Sequence, residues 1–97
     1  MKNEKIISDA DLSEISLKFS ALGEIMRLRI LRLLMEGEAT VGCIADRLGA
    51  TQTNMSRHLK KLSDARIVSA RKEGLFTYYA ICDKRLKKLC SIVCQKD

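Results

Sequence analysis

A chain of 97 residues with 46% hydrophobic side chains suits a single compact domain over residues 1–97, above the size at which cross-links or a structural metal become necessary. No apolar run approaches the roughly 20 residues needed to cross a bilayer, and the opening MKNEKIISDAD lacks the apolar centre of a secretion signal, so no membrane partner and a cytoplasmic location are expected. The net charge of +6 is unevenly spread: residues 1–50 hold seven Lys/Arg against eight Asp/Glu, residues 51–74 six against two, and residues 75–97 five against two.

A near-neutral first half and a basic second half point to a polyanion met by one face, although a merely soluble basic surface gives the same count. The single histidine leaves little material for acid–base catalysis, and no phosphate loop or nucleophile–base arrangement occurs, so an enzyme is not expected. The four cysteines, Cys43, Cys82, Cys90 and Cys94, form no Cys-x-x-Cys pair, which argues against a zinc ribbon or a thioredoxin-type motif. In a cytoplasm they are expected as reduced thiols.

In chain order, Leu12, Ile15, Phe19 and Leu22 recur at helical spacing after Ser8/Asp9 and predict a first amphipathic helix that Gly23 ends. EIMRLRILRLLMEG carries Ile25, Leu28, Leu31 and Leu34, widened by Ile30, Leu33 and Met35, and predicts a more deeply buried second helix closed by Gly37. VGCIADRLG reads as a short third helix, with Ile44 and Leu48 inward and Gly49 placed to stop it. Thr51 is a natural N-cap for a fourth helix running to about Ala65, and two short helices around a glycine-containing turn form a helix-turn-helix.

The period then changes. IVSARK and LFTYYAI are β-branched or aromatic-rich runs joined by Glu73-Gly74, a hairpin with a basic shoulder. Asp83 is placed to cap a last helix, on which Leu86, Leu89, Cys90, Ile92, Val93 and Cys94 make a stripe too broad for one contact. The expected architecture is mainly α with a β-hairpin wing: a winged helix-turn-helix in the order α-α-α-α-β-β-α.

The stretch TQTNMSRHLKKL gives the fourth helix its chemistry. Met55, Leu59 and Leu62 make a narrow stripe that holds it to its supports, and the remaining positions are polar or basic. Behind the Thr51 cap, Gln52, Thr53, Asn54 and Ser56 suit base edges: Gln and Asn each match adenine's paired donor and acceptor, and Ser or Thr serves several edges. Arg57, His58 and Lys60 suit guanine or phosphate, and Arg71 and Lys72 in the wing suit the flanking backbone or minor groove. Taken singly, each is equally a solvated surface side chain; their order and their coincidence with the basic segment favour double-stranded DNA.

MRLRILRLLMEGE, IADRLGATQTNMSRHLKKLSDARIV and RKEGLFTYYAI resemble successive blocks of the ArsR/SmtB repressors, small dimeric winged-helix sensors of metals, metalloids or thiol chemistry. The likeness runs from about Phe19 to Asp83. It implies that Gln52, Thr53, Ser56 and His58 face an operator, and that the first and last helices form a homodimer interface. With two reading helices about 34 Å apart, a small shift at that interface spoils DNA binding.

The resemblance thins where an effector would bind. A Cys-x-Cys box before the turn is replaced by Thr40 and Gly42, with Cys43 one step later. The Asp-x-His and His-rich pairs of zinc-type relatives correspond to Asp83 and Arg85, then Gln95 and Lys96. What remains is thiol chemistry. Cys90 and Cys94 lie one helical turn apart, with β-carbons about 5–6 Å apart, too wide for an unstrained disulfide at roughly 3.5–4.5 Å. Two thiolates reaching one soft ion is easier, and a third sulfur from Cys43, Cys82 or the partner chain would complete a site for arsenite, antimonite or another soft metal ion. An oxidant or persulfide response is an alternative, although the partner position in the second helix is Arg32. So is plain packing of both cysteines as small hydrophobes, which leaves a constitutive repressor. Outside this class stand a protein-interaction module using the last helix and a thiol carrier.

Overall fold

The computed structural model describes residues 6–95; expectations drawn over MKNEK, Lys96 and Asp97 lie outside the described residues. The elements are α1 (Asp9–Leu22), α2 (Ile25–Leu34), β1 (Ala39–Thr40), α3 (Val41–Leu48), α4 (Gln52–Asp64), β2 (Val68–Glu73), β3 (Phe76–Ile81) and α5 (Leu86–Cys94). The winged helix-turn-helix reading holds. One element was missed: β1, two residues that pair antiparallel with β3 through Ala39–Tyr79 and Thr40–Tyr78, giving a three-stranded sheet in the order β1-β3-β2. A two-residue strand has no alternation to detect and exists only because β3 lies beside it.

Local chemistry sets most boundaries. Ser8 caps α1 in a capping box with Asp11, each accepting the other's backbone N–H, and this hydrogen bonding holds the Asp11 carboxyl below its ordinary range. Thr40 caps α3 and Thr51 caps α4. Gly49 ends α3 with φ 64°, a left-handed conformation that lets the chain turn within two residues into the Thr51 cap. The end of α4 uses the same geometry without glycine: Arg66 has φ 59°, and the Ile67 N–H reaches back to the Leu62 carbonyl at 3.0 Å. Ile67 and Leu62 are both fully buried there, so their contact holds a residue that ordinarily avoids this region.

The largest fully buried side chains are Ile30, Leu31, Ile44, Met55, Leu59, Leu62 and Ile67, drawn from α2, α3, α4 and the approach to β2. This core fixes α4 on α2 and α3. The terminal helices contribute much less: α1 buries only Ala21, and α5 only Leu86. Of the four residues of the α1 stripe, only Leu22 packs against the core; Leu12, Ile15 and Phe19 are exposed. The stripe exists as read, and Ile15, Phe19 and Leu22 line an open groove with Leu86 and Leu89 of α5.

Two local expectations shift. The hairpin loop is Gly74-Leu75, because Glu73 pairs with Phe76; a positive φ of 61° at Gly74 alone fits a turn with glycine at its first central position. Asp83 does not cap α5. The N-cap is Arg85, without a side-chain cap bond, and the Asp83 carboxylate instead accepts the Arg85 backbone N–H at 3.0 Å.

Candidate nucleic-acid interface

Helix α4 turns its apolar stripe fully inward: Met55 is 1% exposed, and Leu59 and Leu62 are 0%. Thr51, Gln52, Thr53, Asn54, Ser56, Arg57 and Lys60 are all exposed on the opposite side, and His58 is half-buried between. Thr51 Oγ1 accepts the Asn54 N–H at 3.1 Å, so its hydroxyl oxygen is committed to starting the helix. Gln52 leans over Gly42 of α3, whose missing Cβ would lie 3.6 Å from Gln52 Nε2. Arg57 donates to Asn54 Oδ1 at 3.4 Å, and Lys60 pairs with Asp64 at 3.3 Å. Both contacts are solvent-exposed and weak enough for a polyanion to displace.

The two wing cations differ. Arg71 is held by Glu38 and by Glu73, the latter at 2.6 Å, and its guanidinium lies 4.9 Å over the Tyr78 ring. The Glu38 hydrogen bond, followed by that of Glu73, raises the pKa of Arg71 above its ordinary value. Lys72 forms no ion pair among the described residues. Arg71 therefore braces the wing against the loop before β1, and its charge is already answered by two carboxylates. The pairing with Glu38 spans 33 residues and has no local signal in the sequence.

Sequence reasoning also missed two cations behind α4. Arg27 of α2 donates through Nε to the Ala21 carbonyl at 2.7 Å and through Nη2 to the Ser20 carbonyl at 3.2 Å, and its Nη1 lies 3.3 Å from His58 Nδ1. Lys18 of α1 donates to the Ala65 carbonyl at 2.7 Å, at the end of α4, and pairs with Asp83 at 3.3 Å. Asp83 is also gripped by Arg85, Nε to Oδ1 at 3.0 Å and Nη2 to Oδ2 at 2.9 Å. These bonds, Arg85 foremost, hold the Asp83 carboxyl well below the usual carboxylate range.

The cysteines do not assemble within one chain. Among the described residues no three His, Cys, Asp or Glu side chains gather into a group able to hold a metal ion. Cys43 is exposed in the first turn of α3, whereas Cys90 and Cys94 line a shallow apolar groove with Phe19, Leu22, Leu28 and Val93. Among the described residues of one chain, Cys43 therefore does not join Cys90 and Cys94, which leaves the partner chain as a source of the third sulfur. Cys82 sits at the exit of β3, its Sγ 3.5 Å from the Arg66 carbonyl.

A family model described as bacterial regulatory protein, arsR family, matches residues 26–70. An uncharacterized HTH-type transcriptional regulator of Methanocaldococcus jannaschii is 43% identical over 76 residues, 77% of this chain and 85% of that protein. The chain belongs to the ArsR family. A further relative, the arsenical resistance operon repressor of Bacillus subtilis, is 33% identical over 75 residues, 76% of this chain and 71% of that one. Among solved structures, a homodimeric winged helix-turn-helix DNA-binding domain from Mycobacterium bovis superposes with a TM-score of 0.84 at 33% identity, covering 98% of this chain and 88% of that chain. The chain is accordingly a DNA-binding transcriptional regulator of the ArsR family, not an enzyme. No helix among its described residues is long and apolar enough to cross a membrane.

Proposed function

We propose that residues 1–97 act as one homodimeric repressor unit that reads operator DNA with α4 and the wing. A thiophilic metal or metalloid, or modification of thiols, at Cys90 and Cys94 then releases it. The observation that carries the DNA reading is the division of α4 into a fully buried stripe and an outer face on which Gln52, Thr53, Asn54, Ser56 and Arg57 are all exposed. In this reading those residues, with Thr51, His58 and Lys60, meet the major groove and its phosphates, while Lys72 reaches the flanking backbone. Arg71, paired as it is, sets the angle of the wing.

The homodimer is supported by the apolar surface left on the terminal helices: Phe19 is 60% exposed, Ile92 63% and Val93 74%. Side chains of this kind on two adjacent helices form the type of patch that a second copy covers. Sensing is supported by the i, i+4 spacing of Cys90 and Cys94 on that surface, with a further thiolate supplied by the partner. One observation favours a constitutive repressor as a second reading: Cys90 packs against the core as a partly buried hydrophobe, and the described residues of a single chain offer no third ligand.

Fluorescence anisotropy with a duplex selected by the chain from a randomised pool tests both parts. Binding should weaken steeply with salt, its logarithmic slope near −0.9 per phosphate neutralised. Binding insensitive to salt, or undiminished by joint replacement of Gln52, Asn54 and Arg57, would remove the DNA reading. Release is then measured with arsenite, antimonite, divalent ions, peroxide and persulfide. Full response in both Cys90→Ser and Cys94→Ser would remove this pair from sensing, whereas no release of the wild type by any of them would leave the constitutive repressor.

A further inference from the structure

The geometry points to Arg27 as a positioning residue that fixes the tautomer of His58, so that this histidine faces the duplex as an Nε2–H donor. The inference rests on the reading of α4 as the DNA-facing helix and adds what one of its residues can recognise.

Arg27 is held from behind. Its Nε and Nη2 donate to the Ala21 and Ser20 carbonyls in the last turn of α1, the Ser20 carbonyl also accepting the Gly23 N–H at 3.2 Å. That leaves the planar guanidinium little freedom, and its remaining arm, Nη1, lies 3.3 Å from His58 Nδ1. A guanidinium has only donors and does not lose its charge, so the ring nitrogen facing it must present a lone pair. The proton of neutral His58 then sits on Nε2.

The competing acceptor on this side is Glu24. Its Oε1 is 4.0 Å from Nδ1, beyond hydrogen-bond range, and already accepts the Arg27 backbone N–H at 3.0 Å as the N-cap of α2. Nε2 makes no hydrogen bond to protein among the described residues. His58 follows Asn54 by four residues and Thr51 by seven, on one face of α4.

The consequence for recognition is directional. An Nε2–H donor pairs with a phosphate oxygen, guanine O6 or N7, or thymine O4, and is opposed by the amino groups of adenine and cytosine. The other tautomer would turn an acceptor outward and reverse that preference. Arg27 thereby selects what His58 accepts without touching the DNA itself.

Because His58 is the only histidine, the imidazole nitrogen spectrum of the full-length chain reports one ring. At about pH 8, where an ordinary imidazole is neutral, the wild type should show a single tautomer with Nδ1 unprotonated and Nε2 protonated. Arg27→Met should give a mixture, and Arg27→Lys, which keeps a donor-only cation, should restore the single form. A protonated Nδ1 in the wild type, or identical spectra for wild type and Arg27→Met, overturns the inference. If Arg27→Met does not fold, the wild-type and Arg27→Lys spectra decide.

A second arm measures affinity for the duplex selected from a randomised pool. Arg27→Met should lose about tenfold, roughly 1.4 kcal/mol, and lose nothing further when His58→Ala is already present. Losses that add independently overturn the coupling. 7-Deazaguanine and methylphosphonate substitutions in the duplex then separate a base acceptor from a phosphate. A wild type that selects no duplex defeats the DNA reading and the role of Nε2–H with it; a wrong tautomer defeats this inference alone.

Discussion

Helices α4 and α5 both carry apolar residues at helical spacing, yet they are held in different ways. Every apolar side chain of the α4 stripe is buried within its own chain, its start is capped by Thr51, and its end is closed by the Ile67 N–H on the Leu62 carbonyl. Helix α5 buries only Leu86, has no side-chain cap, and leaves Ile92 and Val93 in solvent. A reading helix must hold its shape before it meets its target, so its fixing contacts are internal. A pairing helix can leave its apolar surface for a second body, and its stability then depends on concentration.

Cutting into the core beneath α4 should have the largest effect. Leu59→Ala, at a side chain with no exposure, should lower unfolding stability by about 2–5 kcal/mol in a urea titration, whereas Ile92→Ala in dilute solution should shift it by less than about 0.5 kcal/mol. Comparable losses at the two sites would erase the contrast. Next in size, joint Ile92→Asp and Val93→Asp substitution should convert a dimer to a monomer in sedimentation and cut affinity for a selected duplex more than tenfold, with the helical circular dichroism of α1–α4 retained. Unchanged sedimentation would mean that something other than a second copy covers α5.

Thr51→Ala should cost about 1 kcal/mol through the lost cap, measured by thermal melting. Its effect on DNA binding should be no larger than that of the neighbouring exposed side chains. The smallest effect concerns acid. The pKa of Asp83 is depressed in the folded chain by Arg85 and Lys18, so its contribution is complete above the ordinary carboxylate range near 4 and is lost as pH falls through the depressed value. Asp83→Asn should therefore flatten the acid limb of the stability curve while leaving its shape at neutral pH unchanged. An unaltered acid limb would show that the grip on Asp83 contributes nothing to folding.

Much of this was legible in the sequence because it is local. The Ser8 and Thr51 caps, the Gly49 turn and the Met55, Leu59, Leu62 stripe each lie within a few residues of their partners, and their chemistry permits few other arrangements. The hairpin was visible in its β-branched and aromatic runs, but its loop fell one residue later than Glu73-Gly74, since Gly74 serves a turn centred on either side of it. What escaped was long-range: Lys18 with Ala65, Arg27 with His58 and Glu38 with Arg71 are separated by 47, 31 and 33 residues. A cation in a helix announces no particular carboxylate or carbonyl that distant. The outward side of α1 was implied only by the family resemblance, which places the first helix in a homodimer interface. Spacing identifies an apolar side but not whether its cover comes from the same molecule.

Lys18 ties these regions together mechanically. One ammonium group spans the last turn of α4 and the carboxylate where β3 leaves the sheet, so α1 cannot slide lengthwise without dropping one hold or dragging both. The play between the surface proposed to meet a twin and the edge proposed to meet a double helix is thus restrained in part by the slack of one four-carbon side chain.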